Sequence, residues 1–380
     1  IRSLKHFFKN FKMKNPLSDE EYKKRKEEKD YSPRSDYFRD QTAIIHSMPF
    51  RRLKHKTQVF FSPENDHVCT RIEHVLHVAT IGATICKGLN DFGWELNLEM
   101  AYAIGLGHDL GHAPFGHAGE EALSSKLENK FIHEVHGLRT VDKLCYNGKG
   151  LNLTYGVRDG IITHNGEDLQ QKLKPAEKLN DLEKIKDRKA IPSSYEGCIV
   201  RFSDVIAYLG RDIEDAYLAN IIKFEDIPEI IRNDVGKTNG DIIDHLVNDI
   251  IQTSKESDSI MMSDDMFDKV QMLQEFNKDR IYNHTTISNY RKMGENIIKE
   301  LFDYLLDKYN NYGKEYEKYK ESGLDVDRHF GSYIERYESL YDSEGNIPKF
   351  IISDYIAGMT DNYALNAIQQ IKIPEPIQFR

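Results

Sequence analysis

The sequence predicts an all-α protein, and three observations carry that reading. Apolar residues recur at helical spacing in one segment after another, alternating strand patterns are scarce, and glycine or proline stands where the helical pattern stops. Its 380 residues, 39% hydrophobic and 11% aromatic, can fill a sizeable interior, while 30% charged residues suit the exterior. No stretch approaches the roughly 18 uncharged apolar residues of a membrane span, so no membrane partner is expected. A net charge of -10 argues against a chain-wide footprint for nucleic acid. Cys69, Cys86, Cys145 and Cys198 are far apart without a CxxC pair. They therefore form neither a zinc ribbon nor a dense disulfide framework, and a reducing cytoplasm fits. Arg2, Lys5, Lys9, Lys12 and Lys14 come without a continuous apolar run or small-residue cleavage site, so no secretory signal is expected.

In chain order, residues 1–38 read as an extension and Gln58 to Phe61 as a short strand candidate. Thr70 to His74 opens a helix whose Val75, Val78, Ile81, Gly82 and Ile85 recur at helical spacing, with His74 beside the apolar stripe. Met100, Ala101 and Ile104 repeat the pattern before Gly105. From Glu196 to Ala219, residues Ile199, Val200, Phe202, Val205, Ile206, Leu209, Ile213 and Ala216 form a wide apolar stripe. Tyr290 to Tyr309 and Ile351 to Ile371 also read as helices. Gly166 to Ser194 and Glu256 to Asp268 are charged excursions, expected as surface insertions or mobile segments, and Gly313 to Gly323 as a solvated helix end. The parts divide into a core over 39–220, with its charged insertion at about 166–194, and a C-terminal helical region over 221–380. One large helical domain carrying insertions is expected.

Histidine is the compositional signal that points to chemistry. Eight of the fifteen, His67, His74, His77, His108, His112, His117, His133 and His136, fall between residues 67 and 136. Imidazole is the commonest metal ligand and titrates nearest neutral pH. Gly105 to Glu120 ends a helix in glycines, places His108 beside Asp109, and then breaks regular structure at Gly111, Pro114 and Gly116. Neighbouring side chains on a helix diverge by about 100 degrees, so two adjacent ligands fit best at a helix end. Further on, Asp204, Tyr208, Arg211, Asp212 and Asp215 stack on one face of the 196–219 helix. His74, His108, Asp109 and Asp204 make a mixed nitrogen and oxygen set suited to a divalent metal with open positions. The bland alternative keeps His108 as a buried hydrogen-bonded histidine and Asp109 as a helix cap.

These residues, in this order on helices, resemble the HD phosphohydrolase superfamily. Five segments narrow the resemblance: Phe50 to Phe60, Thr70 to His74, His108 to His117, Asp204 to Tyr208, and Asp354 to Asp361. Together they are similar to the deoxyguanosinetriphosphate triphosphohydrolase-like family, from about Arg39 to about Ile371, the charged insertions matching poorly. The resemblance implies an HD-domain helical core with helical insertions and a C-terminal helical region that completes the nucleotide site. It implies hydrolysis of a deoxynucleoside triphosphate at the α-phosphate to deoxynucleoside and tripolyphosphate. His74, His108, Asp109 and Asp204 would hold one divalent metal (Mn, Mg, Fe, Ni or Zn), with additional Mg arriving on the nucleotide. His117 would donate the proton to the leaving oxygen, oriented by Glu120, while His112 and His133 stabilise phosphate charge. Where this chain has Glu134, the family often has Asn, and a buried structural role is the alternative for His133.

For the substrate, the resemblance implies phosphate contacts from Arg71 and a 3'-hydroxyl held by Asp212 and Gln58. Tyr208 would stack near the sugar, and Val59 with Tyr290 would fill the space of a 2'-hydroxyl. Arg71 pairing with a surface carboxylate is the alternative for that residue. Arg52 and Lys56 divide between phosphate contact and subunit packing. Relatives also lead to the expectation of a homo-oligomer, a hexamer or tetramer, and of an activating second nucleotide. An apolar stripe of Ile352, Tyr355, Ile356 and Met359 gives a local reason for the oligomer, although packing into its own subunit is its commoner use. Two other readings stand beside this one. Another HD phosphohydrolase, a nucleotidase or phosphodiesterase, would share the metal quartet. A non-catalytic nucleotide-sensing or nucleic-acid-binding protein, with weak single-stranded binding, would use the basic run Tyr22 to Lys26.

Overall fold

The computed structural model describes residues 13–61, 67–166 and 168–373, so the basic residues at 2, 5, 9 and 12 lie outside the described residues. Helices of seven residues or more are labelled in chain order. They are α1 (Asp36–Ile45), α2 (Arg71–Asn90), α3 (Leu98–Gly107), α4 (His117–Lys126), α5 (His133–Arg139), α6 (Tyr155–Thr163) and α7 (Tyr195–Leu218). After these come α8 (Asn239–Ser254), α9 (Asp264–Asn277), α10 (Thr285–Tyr312), α11 (Asp325–Arg336), α12 (Pro348–Ala357) and α13 (Asp361–Lys372). The protein is all-α: among the described residues the only strands are β1 (Lys172–Leu173) and β2 (Ile260–Met261), which pair antiparallel. Gln58 to Phe61 is not a strand, because only a lone bridge between Thr57 and Thr70 forms there.

Helix α2 starts where the sequence places it. Thr70 and Glu73 form a capping box that satisfies the free N–H groups of its first turn. It packs on α3 and α7, burying Val75, Val78, Ile81 and Ile85 together with Ile199, Val200, Val205 and Ile206 of α7. Ser194 caps α7 through a hydrogen bond from the Gly197 N–H. The 351–371 segment is two helices, broken at Gly358, Met359 and Thr360, where Thr360 caps α13. Ile352, Ile356 and Met359 are buried within this chain, so that stripe is spent internally.

Apolar packing divides elsewhere than at residue 220. One cluster joins α2, α3, α6 and α7 with α8 and α9, while a second joins α10 to α13 with Ala113, Phe115, Ala118, Ala122, Leu123 and Phe131. The loop after His108 therefore crosses from one cluster to the other. Two buried side chains fix that crossing. Asp361 accepts hydrogen bonds from the main-chain N–H of Thr57 (2.9 Å) and of Phe115 (3.0 Å). Lys56 donates to the carbonyls of His112 and Ala357. Lys56 is thus a joint between segments and not a phosphate ligand; burial, followed by the Arg52 charge, pushes its ammonium down to about 7.

The charged excursions are built into the fold. Asp159, fully buried in α6, accepts from the Ser193 N–H and hydroxyl and from the Asn180 amide, stapling 180–193 to the core. The run from Tyr22 to Lys26 is also committed internally: Arg25 pairs with buried Asp40, Lys26 with Asp142 and Lys23 with Asp19. No helix among the described residues is long and apolar enough to cross a membrane, and the four cysteines are buried free thiols.

Asp361→Ala should destabilise the protein by about 3 kcal/mol or more, since two charge-assisted hydrogen bonds to buried main chain are lost. Asp361→Asn, keeping one acceptor, should cost less. Chemical denaturation of the three proteins measures the order, and an Asp361→Ala variant as stable as wild type would refute the joint.

Candidate metal centre and cleft

His74 sits one turn into α2, His108 follows the last turn of α3, and Asp204 lies mid-way along α7, so the three packed helices deliver the three side chains to one point. Their candidate ligand atoms lie within 4.8 Å of one another. His74 Nε2 is 2.9 Å from Asp204 Oδ1, and His108 Nε2 is 3.8 Å from the same oxygen. His108 Nδ1 faces the Gly105 carbonyl at 2.7 Å, so that nitrogen carries the proton. The lone pair on Nε2 is thereby left buried, without a hydrogen-bond partner, and aimed into the cluster. A backbone carbonyl that fixes the tautomer while the other nitrogen stays open is the arrangement of a metal-ligating histidine, and the residues fit a metal on that observation.

Asp109 stands at the edge of this trio. Its Oδ1 is 3.4 Å from His108 Nε2 and 3.2 Å from His112 Nε2, while Oδ2 takes the Arg71 guanidinium at 2.7 Å. Burial works to raise the Asp109 carboxyl, but His108, His112 and Arg71 outweigh it and hold it well below the usual carboxylate range. Arg71 is 2% exposed and paired with this carboxylate. The carboxylate pairing weighed as the alternative for Arg71 thus forms, in the interior and not on the surface.

A histidine cluster adjoins the metal trio. His112 and His133 stack at 3.7 Å with 20° between their rings. Burial and the Arg71 and His133 charges push His112 down, leaving it neutral. His164 holds its Nδ1 against the Ile161 carbonyl at 2.7 Å, so its Nε2 accepts from His133 Nε2 at 3.2 Å. His133 then presents Nδ1–H to Glu120 Oε2 at 2.9 Å. With both nitrogens donating, His133 is an imidazolium; burial opposes this, but Glu134 and Glu120 push it up to about 9. Burial likewise opposes ionisation of Glu120, and His133, His117 and His112 overcome it and pull its carboxyl far down.

Glu120 faces two histidines, the one that its spacing gives and a second. Its near partner is His133, whereas His117 Nδ1 is 3.8 Å from the same Oε2 and half-exposed at the mouth. His117 is the first residue of α4, after Gly116 at φ +58.

The remaining residues line one cleft of about 1000 Å³ with His74, Asp204 and Asp109 and with His112, His117, His133 and His164, while His108 lies buried behind it. Gln58, Val59, Arg71, Tyr208, Asp212 and Tyr290 are all on its wall. Tyr208 accepts from Gln274, Tyr290 stacks on Phe61 at 4.6 Å, and Asp212 accepts from Tyr282. Burial pushes Asp212 up to about 7 against the Tyr282 hydrogen bond. Arg52 lies apart from these, exposed in a separate cavity of about 580 Å³, and donates to the Gly358 carbonyl.

Sequence reasoning missed His164, Tyr282 and Arg188. His164 carried a signal, a histidine ending an apolar helix before Asn165 and Gly166. Tyr282 and Arg188 carried none, because each meets its partner only through tertiary packing.

Comparison with known proteins agrees with this geometry. The HD domain family matches residues 71–209, and the phosphohydrolase-associated domain family matches residues 260–370. The protein is therefore an HD-domain phosphohydrolase. A deoxyguanosinetriphosphate triphosphohydrolase-like protein of Caldanaerobacter subterraneus is 36% identical over 92% of this chain and 89% of its own. Others so named from Desulfatibacillum aliphaticivorans (36% identical; 90% of this chain, 89% of its own) and Clostridium tetani (34%; 88% and 85%) are similar throughout. The chain belongs to the deoxyguanosinetriphosphate triphosphohydrolase-like family. A solved phosphohydrolase from Bacteroides thetaiotaomicron aligns at a TM-score of 0.49 and 16% identity over 88% of this chain and 69% of its own.

Two expectations follow. A Cβ at Gly166 would sit 1.9 Å from Asp204 Oδ2, so Gly166→Ala should push that ligand aside and weaken metal binding while leaving every ligand in place. His108→Ala should do the same by removing a donor; equilibrium metal analysis showing full occupancy in both would refute the centre. Secondly, the His133 pairing contributes stability that is fully present below the unfolded value of 6.5 and is lost as pH rises through about 9. The thermal midpoint of wild type should exceed that of His133→Gln most at acidic to neutral pH and converge with it in alkali.

Proposed function

We propose that the cleft hydrolyses deoxynucleoside triphosphates to deoxynucleoside and inorganic tripolyphosphate. The observation that carries this reading is that one cavity of about 1000 Å³ joins His74, Asp109 and Asp204 of the metal centre, the His133 imidazolium, and a wall of tyrosines around the buried carboxyl of Asp212. Its family membership supports the same reading. His74, His108 and Asp204, with Asp109 beside them, would hold a divalent ion such as Mn, Mg, Fe, Ni or Zn. When bound, such an ion polarises a phosphate and lowers the pKa of a water.

The chain's own residues supply the rest. His133 offers positive charge to the phosphates through the face shared with neutral His112. His117, half-exposed and within ion-pair reach of Glu120, is placed to give a proton to the leaving 5'-oxygen. Tyr282 occupies one oxygen of Asp212, which leaves the other, with the unpartnered Oε1 of Gln58, for the sugar 3'-hydroxyl. Val59 and Tyr290 give the 2'-position an apolar wall. An added 2'-hydroxyl would lose its hydrogen bonds there.

Incubation with each dNTP and NTP plus Mn or Mg, followed by separation of products, tests the proposal. Deoxynucleoside and intact tripolyphosphate are expected in equal amounts, with ribonucleotides poorer by roughly 10-fold to several hundred-fold, the worth of one buried unpaired hydroxyl and its overlap. Monophosphate with pyrophosphate, or release of single phosphates, would instead favour another HD phosphohydrolase.

A further inference from the structure

The charged insertion delivers one side chain into the histidine cluster. Arg188 donates from Nε to Glu134 Oε1 at 2.8 Å and from Nη2 to Glu120 Oε1 at 2.9 Å. Both carboxylates are buried, at 2% and 7% exposure, and they flank the same imidazole, His133. The backbone that carries Arg188 is fixed by the core. Asn165 donates to the Arg188 carbonyl at 3.2 Å. Arg201 of α7 donates to the carbonyls of Thr163 and Ala190, tying the insertion to the end of α6. The guanidinium therefore reaches the two carboxylates from a fixed base and not from a loose loop.

We propose that Arg188 is a positioning residue of the hydrolytic site. By taking Oε1 of Glu120 and Oε1 of Glu134, it aims Glu120 Oε2 at His133 and His117. This rests on the reading of the cleft as a phosphohydrolase site, and extends it to an insertion that shares no motif with the rest. The geometry asks for a planar fork: two carboxylates are met by two different nitrogens, Nε and Nη2, of one guanidinium, an arrangement that an ammonium does not reproduce. It also accounts for a glutamate at 134, since the carboxylate beside His133 is balanced by a cation from the insertion. Left without Arg188, Glu120 Oε1 keeps only the His133 main-chain N–H at 3.3 Å, and the carboxylate can turn further toward His133 at the expense of His117.

The test compares wild type, Arg188→Ala, Arg188→Lys and Glu134→Gln as full-length protein. Arg188→Ala should lower kcat about 10- to 100-fold, the usual effect of a small misplacement of a catalytic group, with KM changed far less. Arg188→Lys should stay close to Arg188→Ala, and millimolar guanidinium should restore part of the turnover of Arg188→Ala but not of wild type or Glu134→Gln. A merely structural arginine would give a lower melting temperature without that rescue, and this result overturns the proposal, as does an unchanged kcat. Long-range nitrogen NMR of the histidine rings provides a readout independent of substrate, with the His133 and His117 signals expected to move in Arg188→Ala. Wild-type protein inactive on every dNTP would sink the dNTP reading alone, whereas unmoved ring signals would sink the role of Arg188 alone.

Discussion

The buried carboxylate of Asp361 accepts one main-chain N–H from each of the two loops that floor the cleft, at Thr57 and at Phe115. Phe115 stands at φ +62, a left-handed conformation that a bulky side chain adopts only when its surroundings impose it. The Asp361 bond is part of that imposition, and the Phe115 ring, buried against α10 at Gly294, is the rest. Once Phe115 is held there, Gly116 can turn, His117 can begin α4, and Glu120 comes to face His133. Lys56 repeats the logic with opposite polarity, donating to carbonyls on both sides of the same joint. The loop after His108 thus takes part of its shape from Asp361, more than two hundred positions downstream.

Within the cluster, charge is allotted by main-chain carbonyls. Gly105 fixes the proton of His108 on Nδ1, and Ile161 does the same for His164. Each leaves a bare Nε2, one directed at the metal trio and the other at His133. Neighbouring rings therefore alternate between acceptor and donor, and His133, with carboxylates on one side and His164 on the other, is held as a cation. Six histidines can share this small volume because they do not all ask for a proton.

Much of the fold was legible because it rests on local rules. The α2 capping box at Thr70 and Glu73 and the α7 stripe from Ile199 to Ala216 are written in consecutive residues, and three helices so placed bring His74, His108 and Asp204 together. Illegible features depend on contacts across the chain. Spacing within one helical turn pointed Glu120 at His117, but the deciding partner came from α5. The Arg71–Asp109 pair forms only once α2 packs against the turn that follows α3. A periodic segment from 351 to 371 hid a break, because Thr360 caps a new helix without interrupting the apolar pattern. Charge density made residues 166–194 look peripheral, and nothing in the sequence distinguishes Arg188 from the charged residues around it.

The short ladder between Lys172–Leu173 and Ile260–Met261 joins the first charged excursion to the second. Lys174 adds an ion pair to Asp258 across the same seam. Two stretches that look like independent decorations are consequently one appendage, anchored at Asp159 and ending in the arginine that touches Glu120. For loop exchange between relatives, the natural unit of transplantation is the pair of excursions taken together. Moving 166–194 alone would sever it from its strand partner and carry its arginine onto a foreign footing.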